Sequence, residues 1–426
     1  MHHFQYRHGH LHAEDVLIET IAEAVGTPFY VYSTATLERH YKVFLSAFDD
    51  LPVLVCYAMK SNSNQAVIET LARLGAGADV VSGGELTRAL KAGVAPSKIM
   101  FSGVGKTRAE IEAAITANIL CINAESLPEL ERISQVASAS GKQAPVSLRI
   151  NPDVDAKTHE KITTGLSENK FGIAWSEARA AYRFAAGLPG VRITGIDMHI
   201  GSQITDLEPF DAAFGKLGVL IGSLREDGHK IEHVDLGGGL GISYTDDNDP
   251  PPHPDEYARI VRRHVEQLDC DIIFEPGRVI SGNAGLLVTG VEYVKHGDDR
   301  TFIIVDAAMN DLIRPTLYDA HHTIKPVVER ENGALWEKAD IVGPVCETGD
   351  FLAKDRTFPH VKAGELLAVF SAGAYGAVQA GTYNTRALIP EVMVRGDQYH
   401  VVRPRFDVDA IIGLDSRPAW FSDAPK

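Results

Sequence analysis

A lysine stands where a buried strand should end. The run Val53-Leu54-Val55-Cys56-Tyr57-Ala58-Met59 is apolar, and Lys60 follows it directly, ahead of a polar Ser-Asn-Ser-Asn at 61–64. Strand interiors avoid lysine because taking an ammonium out of water is costly. A lysine after a strand is usually a solvated loop residue. One held in a cleft can have its pKa lowered and act as an amine nucleophile. Other chemically capable residues recur in similar places. Asp79 lies inside the run ADVVS, and His199 follows ITGIDM, with Gly201 and Ser202 behind it. HVDL runs into Gly237, Gly238 and Gly239, and DIIF runs into Glu275-Pro276-Gly277-Arg278. Each is weak alone. A single histidine more often packs in a core, Pro-Gly is a common turn pair, and GGGLG is not a GxGxxG fingerprint.

The elements that would position them give the set more weight. Eight short apolar runs occur at 53–58, 78–82, 99–103, 119–123, 146–151, 193–201, 233–239 and 271–276, most separated by an amphipathic stretch that stops at glycine. An alternating βα series of eight units predicts a closed (β/α)8 TIM-type barrel, with a doubly wound sheet as the structural alternative. In such a barrel reactive groups sit at the C-terminal ends of the strands, and the unusual residues fall there. An amine nucleophile, a ring that can stack, a glycine run that lets backbone N–H groups approach an anion, and a carboxylate are together the parts needed to hold pyridoxal phosphate.

After about residue 277 the helical pattern fades into short β-rich runs such as TFIIVDA, ADIVGPVC and ELLAVFS. The expected organisation is a barrel over 36–277 and a C-terminal all-β domain over 278–426, with residues 1–35 lending it the strand PFYVYS. The opening MHHFQYRHGHLH, with five histidines, fits no metal motif and reads as a solvated, poorly ordered lead-in.

The chain has 426 residues and a net charge of −16. That charge argues against nonspecific binding to nucleic acid or an anionic membrane, while leaving room for one small anionic ligand. Four widely spaced cysteines form no CxxC pair, so neither a disulfide framework nor a metal site is expected. With no long apolar run and no signal-type segment, the expectation is a cytoplasmic protein.

YAMKSN resembles the YAxKAN lysine motif of the fold-type III pyridoxal-phosphate decarboxylases, with Ser61 in place of the usual alanine. HIGSQ, DLGGGLG, EPGR, GPVCETGDFL and SAGAYG follow in that family's order, so the resemblance runs from about Pro28 to Glu391. NPDVDAKTHEKITTGLSENKFG, at 151–172, resembles the diaminopimelate decarboxylase branch rather than the ornithine or arginine branches. Lys157, where a histidine is common, and Ala387, where a proline is usual, are departures.

The resemblance implies that Lys60 joins the cofactor aldehyde, that Asp79 lies near the cofactor, and that His199 stacks on its ring. It implies that Ser202, Gly237, Gly238, Gly239, Gly277 and Tyr375 hold the phosphate, with Arg278 alongside, and that Glu275 faces the pyridine nitrogen. Arg278, Arg314, Tyr318 and Tyr375 would meet the substrate, Glu347 would take its far ammonium, and Cys346 would donate a proton. In this family Cys346 and its neighbours come from the partner subunit, which implies an obligate homodimer. The rival expectations are a decarboxylase of ornithine, arginine or carboxynorspermidine, an alanine-racemase-like enzyme, and a non-catalytic homologue that binds the cofactor. Glu275 argues against the racemase-like type, which places arginine at the pyridine nitrogen. Lys60 and Cys346 argue against a dead homologue.

Overall fold

The structure, a computed structural model, describes residues 2–156, 164–165, 170–245, 251–298, 300–330 and 335–421. The departure at Lys157 and half of the 151–172 segment lie outside these residues. The chain divides into two compact units, one spanning Thr34–Ala284 and the other made of His2–Ser33 with Gly285–Lys426.

The first unit contains the eight strands β1 (Val53–Ala58), β2 (Gly77–Val80), β3 (Ile99–Phe101), β4 (Cys121–Ala124), β5 (Ala144–Asn151), β6 (Val191–Asp197), β7 (His233–Asp235) and β8 (Asp271–Phe274). Each pairs in parallel with the next, and β8 pairs with β1, Ile272 opposite Val53, which closes the barrel. The expected (β/α)8 architecture is therefore the observed one. Strands covered on both faces read as continuous apolar runs, which is why these were visible in the sequence.

Side-chain caps start the helices that follow β1 to β4 soon after each strand. Asn64 accepts the Ala66 N–H, Ser82 the Glu85 N–H and Ser126 the Glu129 N–H, and Thr107 with Glu110 forms a full capping box. The linker that carries Lys60, between Ala58 and Gln65, is short as a result. Phe48 packs on Phe274 with ring centroids 4.5 Å apart, and Phe44 and Tyr257 complete an aromatic cluster beneath the end of β8. Glu275 is therefore carried on a firmly packed strand.

In the second unit the long strand Gly285–His296 pairs antiparallel with Phe29–Ser33, Thr301–Val305 and Leu366–Val369. Phe29–Ser33 also runs parallel to Glu391–Arg395. The histidine-rich start is not a disordered lead-in, contrary to expectation. Phe4–Arg7, His10–Ala13 and Val16–Leu17 form a three-stranded antiparallel sheet. His8 and Gly9, with φ of 51° and 80°, make the positive-φ pair that a tight hairpin requires. Phe4, Leu11, Ala13 and Val16 are buried against Phe29 and Val31. The alternating apolar residues decide the structure, and the intervening polar ones, such as His10 bonded to Glu19 at 3.0 Å, sit on the wetter face.

Candidate active site

The barrel brings Lys60, Asp79, His199, Ser202, Gly237–Gly239, Glu275, Gly277 and Arg278 to the C-terminal ends of its strands. Lys60 sits in a single 3-10 turn, Met59–Ser61, directly after β1. Its Nζ lies 3.0 Å from Oδ2 of Asp79, which is fully buried on β2. Ala58 and Asp79 are register partners, so adjacent strands set this pair before any side chain chooses a rotamer.

Ser61, the departure from the common alanine, has a structural role. Its hydroxyl donates to the Ala58 carbonyl at 2.8 Å and accepts from Ser281 at 3.2 Å. The Tyr57 hydroxyl lies 3.0 Å away and itself donates to the Asn62 carbonyl at 3.1 Å. These bonds tie the lysine turn to the short helix Arg278–Ser281.

His199 accepts the Gly238 N–H at Nδ1, 3.2 Å away, so its ring proton is on Nε2. Burial, and then the positive charges of Arg149 and Lys60, hold its pKa well below the usual value. The ring is thus neutral, and a neutral imidazole suits stacking on another flat ring. The glycine run is required by close backbone approach. A Cβ on Gly238 would lie 2.3 Å from the Glu275 carbonyl oxygen, and one on Gly239 would lie 2.6 Å from that of Gly201. The N–H of Gly237 is taken by Asp235 at 2.9 Å and that of Gly238 by His199. Among the described residues the N–H groups of Gly239 and Leu240 make no hydrogen bond, which leaves them able to meet an anion. Arg278 flanks the same region, donating to Ser202 Oγ at 3.0 Å and to the Tyr244 hydroxyl.

Beneath the mouth lies a polar layer that sequence reasoning missed. Arg149 on β5, Asp197 on β6 and Asp235 on β7 are successive register neighbours. Asp197, Asp235 and Glu275 bring one carboxyl oxygen each within 4.8 Å of one another. Burial, then the facing Asp235, Asp79 and Asp197, raise the Glu275 carboxyl well above the usual carboxylate range. Burial likewise pushes Asp235 up to about 7. Crowding and burial together thus favour the protonated form of these carboxyls more than water does. Ser102 donates to Glu275 Oε1 at 3.2 Å. A signal for the two aspartates existed: each lies in an apolar run, two residues ahead of His199 or Gly237.

The second unit carries the remaining candidates. Arg314 and Tyr318 bound a short helix whose Thr316 hydroxyl donates to the Gly349 carbonyl at 2.6 Å. That bond seats the helix on the loop bearing Cys346 and Glu347. Asp350 fixes this loop by accepting the N–H groups of Met309 and Val345, both at 2.6 Å. Cys346 is exposed, and its backbone N–H donates to Asn384 Oδ1 at 3.0 Å. Tyr375 holds φ at +56°, uncommon outside glycine, and Gln379 nearby donates to the Tyr318 hydroxyl at 3.5 Å.

Residues 34–282 match the family described as pyridoxal-dependent decarboxylase, pyridoxal binding domain. A diaminopimelate decarboxylase of Haemophilus influenzae is 51% identical over 419 residues, covering 98% of this chain and 100% of that one. The crystal structure of diaminopimelate decarboxylase from Helicobacter pylori, complexed with L-lysine, matches with a TM-score of 0.89 and 40% identity over 93% of this chain and 98% of that one. The diaminopimelate decarboxylase of M. jannaschii in complex with L-lysine matches with a TM-score of 0.92 and 36% identity, over 97% of this chain and 98% of its own.

Proposed function

The chain belongs to the pyridoxal-dependent decarboxylases, in the diaminopimelate decarboxylase branch, and on that footing we propose how its residues turn meso-diaminopimelate into L-lysine and carbon dioxide. The observation that carries the residue roles is the arrangement of Lys60 on Asp79 with Glu275 in the same barrel mouth. Pyridoxal phosphate, the family's cofactor, fits this mouth. Lys60 would offer the amine, the Gly239 and Leu240 N–H groups with Ser202 and Arg278 would meet the phosphate, and His199 would offer a neutral ring face. When bound, the cofactor supplies an aldehyde for amines and an electron-poor ring that draws electrons from a breaking bond.

The chain's own residues do the rest. Asp79 orients the Lys60 nitrogen. Glu275, whose surroundings favour a proton, would share that proton with the ring nitrogen, which would keep the ring electron-poor. Arg314 takes the carboxylate that the substrate keeps, through the paired N–H geometry that suits a carboxylate. Glu347 takes the far ammonium, with Tyr318 and Tyr375 beside it. Cys346 delivers a proton to the carbon that has lost its carboxyl group. Ornithine has no second carboxylate, so a site built for it has no use for Arg314.

Steady-state rates on a substrate panel test the assignment. We expect kcat/KM on meso-diaminopimelate to exceed that on ornithine, arginine or carboxynorspermidine by about 100-fold or more, with L-lysine as product. Highest efficiency on any of the other three would refute it.

The proposed working form is a cytoplasmic homodimer in which each site takes Cys346 and Glu347 from the second copy. Lys60→Ala and Cys346→Ala chains, each inactive alone, should then regain activity when their subunits are exchanged. Equal mixing gives half the dimers as mixed pairs with one intact site each, so recovery approaches about one quarter of the wild-type rate. No recovery after verified exchange counts against shared sites.

A further inference from the structure

His322 is fully buried in the second unit, two residues ahead of the strand Ile324–Pro326. Its Nδ1 lies 2.8 Å from the Phe370 carbonyl oxygen, and its Nε2 lies 2.8 Å from Nη1 of Arg314. A guanidinium only donates, so Nε2 carries the lone pair and the proton is on Nδ1, donated to Phe370. The two contacts fix both the tautomer and the ring plane.

We propose that His322 is a positioning residue that aims the Arg314 guanidinium at the carboxylate the substrate keeps; this rests on the reading of Arg314 given above.

Backbone on both sides holds the imidazole in place. The Phe370 N–H donates to the Thr323 carbonyl at 2.8 Å, and Ile324–Pro326 pairs antiparallel with Leu367–Val369. At the other end Asp319, with φ of +49°, closes the arginine's helix, and the Ala320 N–H returns to the Arg314 carbonyl at 3.3 Å. The segment between these anchors is short, so His322 and Arg314 cannot drift apart independently. A planar guanidinium with one N–H held on a rigid acceptor has its rotation restricted, which biases where its other N–H groups point.

The chemistry of the acceptor matters as much as its position. A neutral imidazole nitrogen accepts one N–H without cancelling the guanidinium's positive charge. A carboxylate in its place would neutralise that charge and compete with the substrate. Histidine in this tautomer provides an acceptor and a donor on opposite sides of one rigid ring.

The test uses the holoenzyme and two inhibitors of different chemistry. L-Lysine keeps the carboxylate in question, whereas 1,5-diaminopentane lacks it. In His322→Phe the KM for meso-diaminopimelate and the inhibition constant of L-lysine should rise about 10- to 100-fold. The inhibition constant of 1,5-diaminopentane and kcat should stay within about twofold. His322→Gln, which can still accept and donate, should recover most of the loss. In an Arg314→Ala background His322→Phe should add no further loss.

Equal weakening of both inhibitors, or no recovery with glutamine, would show that His322 only supports the fold and would overturn the proposal. If the phenylalanine variant does not fold, His322→Asn, too short to bridge both partners, takes its place against glutamine. If Arg314→Ala weakens L-lysine but the His322 variants do not, the His322 proposal alone fails. If Arg314→Ala leaves L-lysine binding unchanged, the reading of Arg314 fails and takes this proposal with it.

Discussion

Lys60→Ala lowers kcat by about 10⁴-fold or more and removes the visible absorbance of lysine-bound cofactor, a loss worth ~5 kcal/mol at 1.36 kcal/mol per decade. Lys60 ends β1 in a turn tied down by Ser61, and its Nζ is held by Asp79 at 3.0 Å. On the proposed assignment, an alanine there removes the amine that would secure the cofactor and return to it after each turnover. It also strips Asp79, fully buried, of its cation, so the alanine variant tests stability and chemistry together. Lys60→Arg separates them. A guanidinium keeps a cation facing Asp79 but is no nucleophile at neutral pH. We expect Lys60→Arg to melt close to the wild type and still turn over no faster than the alanine variant. Turnover within about tenfold of wild type in either variant would remove Lys60 from its assigned role.

Glu275→Ala keeps bound cofactor and loses roughly 10²- to 10³-fold in kcat, the size of effect seen when one preorganised electrostatic partner is removed. Glu275 follows β8 directly, on a strand pinned by the Phe48–Phe274 contact. Burial and three facing aspartates keep its carboxyl well above the usual carboxylate range. That makes it a suitable group to share a proton with a basic ring nitrogen, and a poor one to leave ionised alone. On the proposed assignment, retention of the cofactor would rest on Lys60 and the glycine run, which Glu275 does not replace. The measurement is a cofactor titration followed by absorbance, alongside kcat. Unimpaired turnover would mean that another group faces the nitrogen.

The barrel was legible because its strands are buried on both faces and read as unbroken apolar runs. Lys60, His199, the glycine run and Glu275 were legible because each interrupts or ends such a run. The buried acidic layer was not. Asp197 and Asp235 sit side by side only because β6 and β7 are in register, and one residue of slip would part them. Arg149 joins them through the register of β5 with β6, across more than forty residues of sequence. His322 was hidden for a similar reason. Its meaning lies in an arginine on one side and the Phe370 carbonyl on the other, and neither partner is implied by the string HHTI. The amino-terminal strands were misread because five histidines dominate the composition, while Phe4, Leu11, Ala13 and Val16 decide the fold.

The strand Phe29–Ser33 lies between Gly285–His296 and Glu391–Arg395 within one sheet. A ribosome makes this strand early and both of its neighbours late, after the whole of Thr34–Ala284 has emerged. The barrel holds all of its own strands by then and can close on the nascent chain. The β unit cannot complete its sheet until synthesis passes residue 403. Until then Phe29–Ser33 waits without its neighbours, the kind of edge that invites aggregation, and must afterwards close a loop as long as the barrel itself. Maturation of this protein is therefore vectorial, with the second unit as its slow and vulnerable stage.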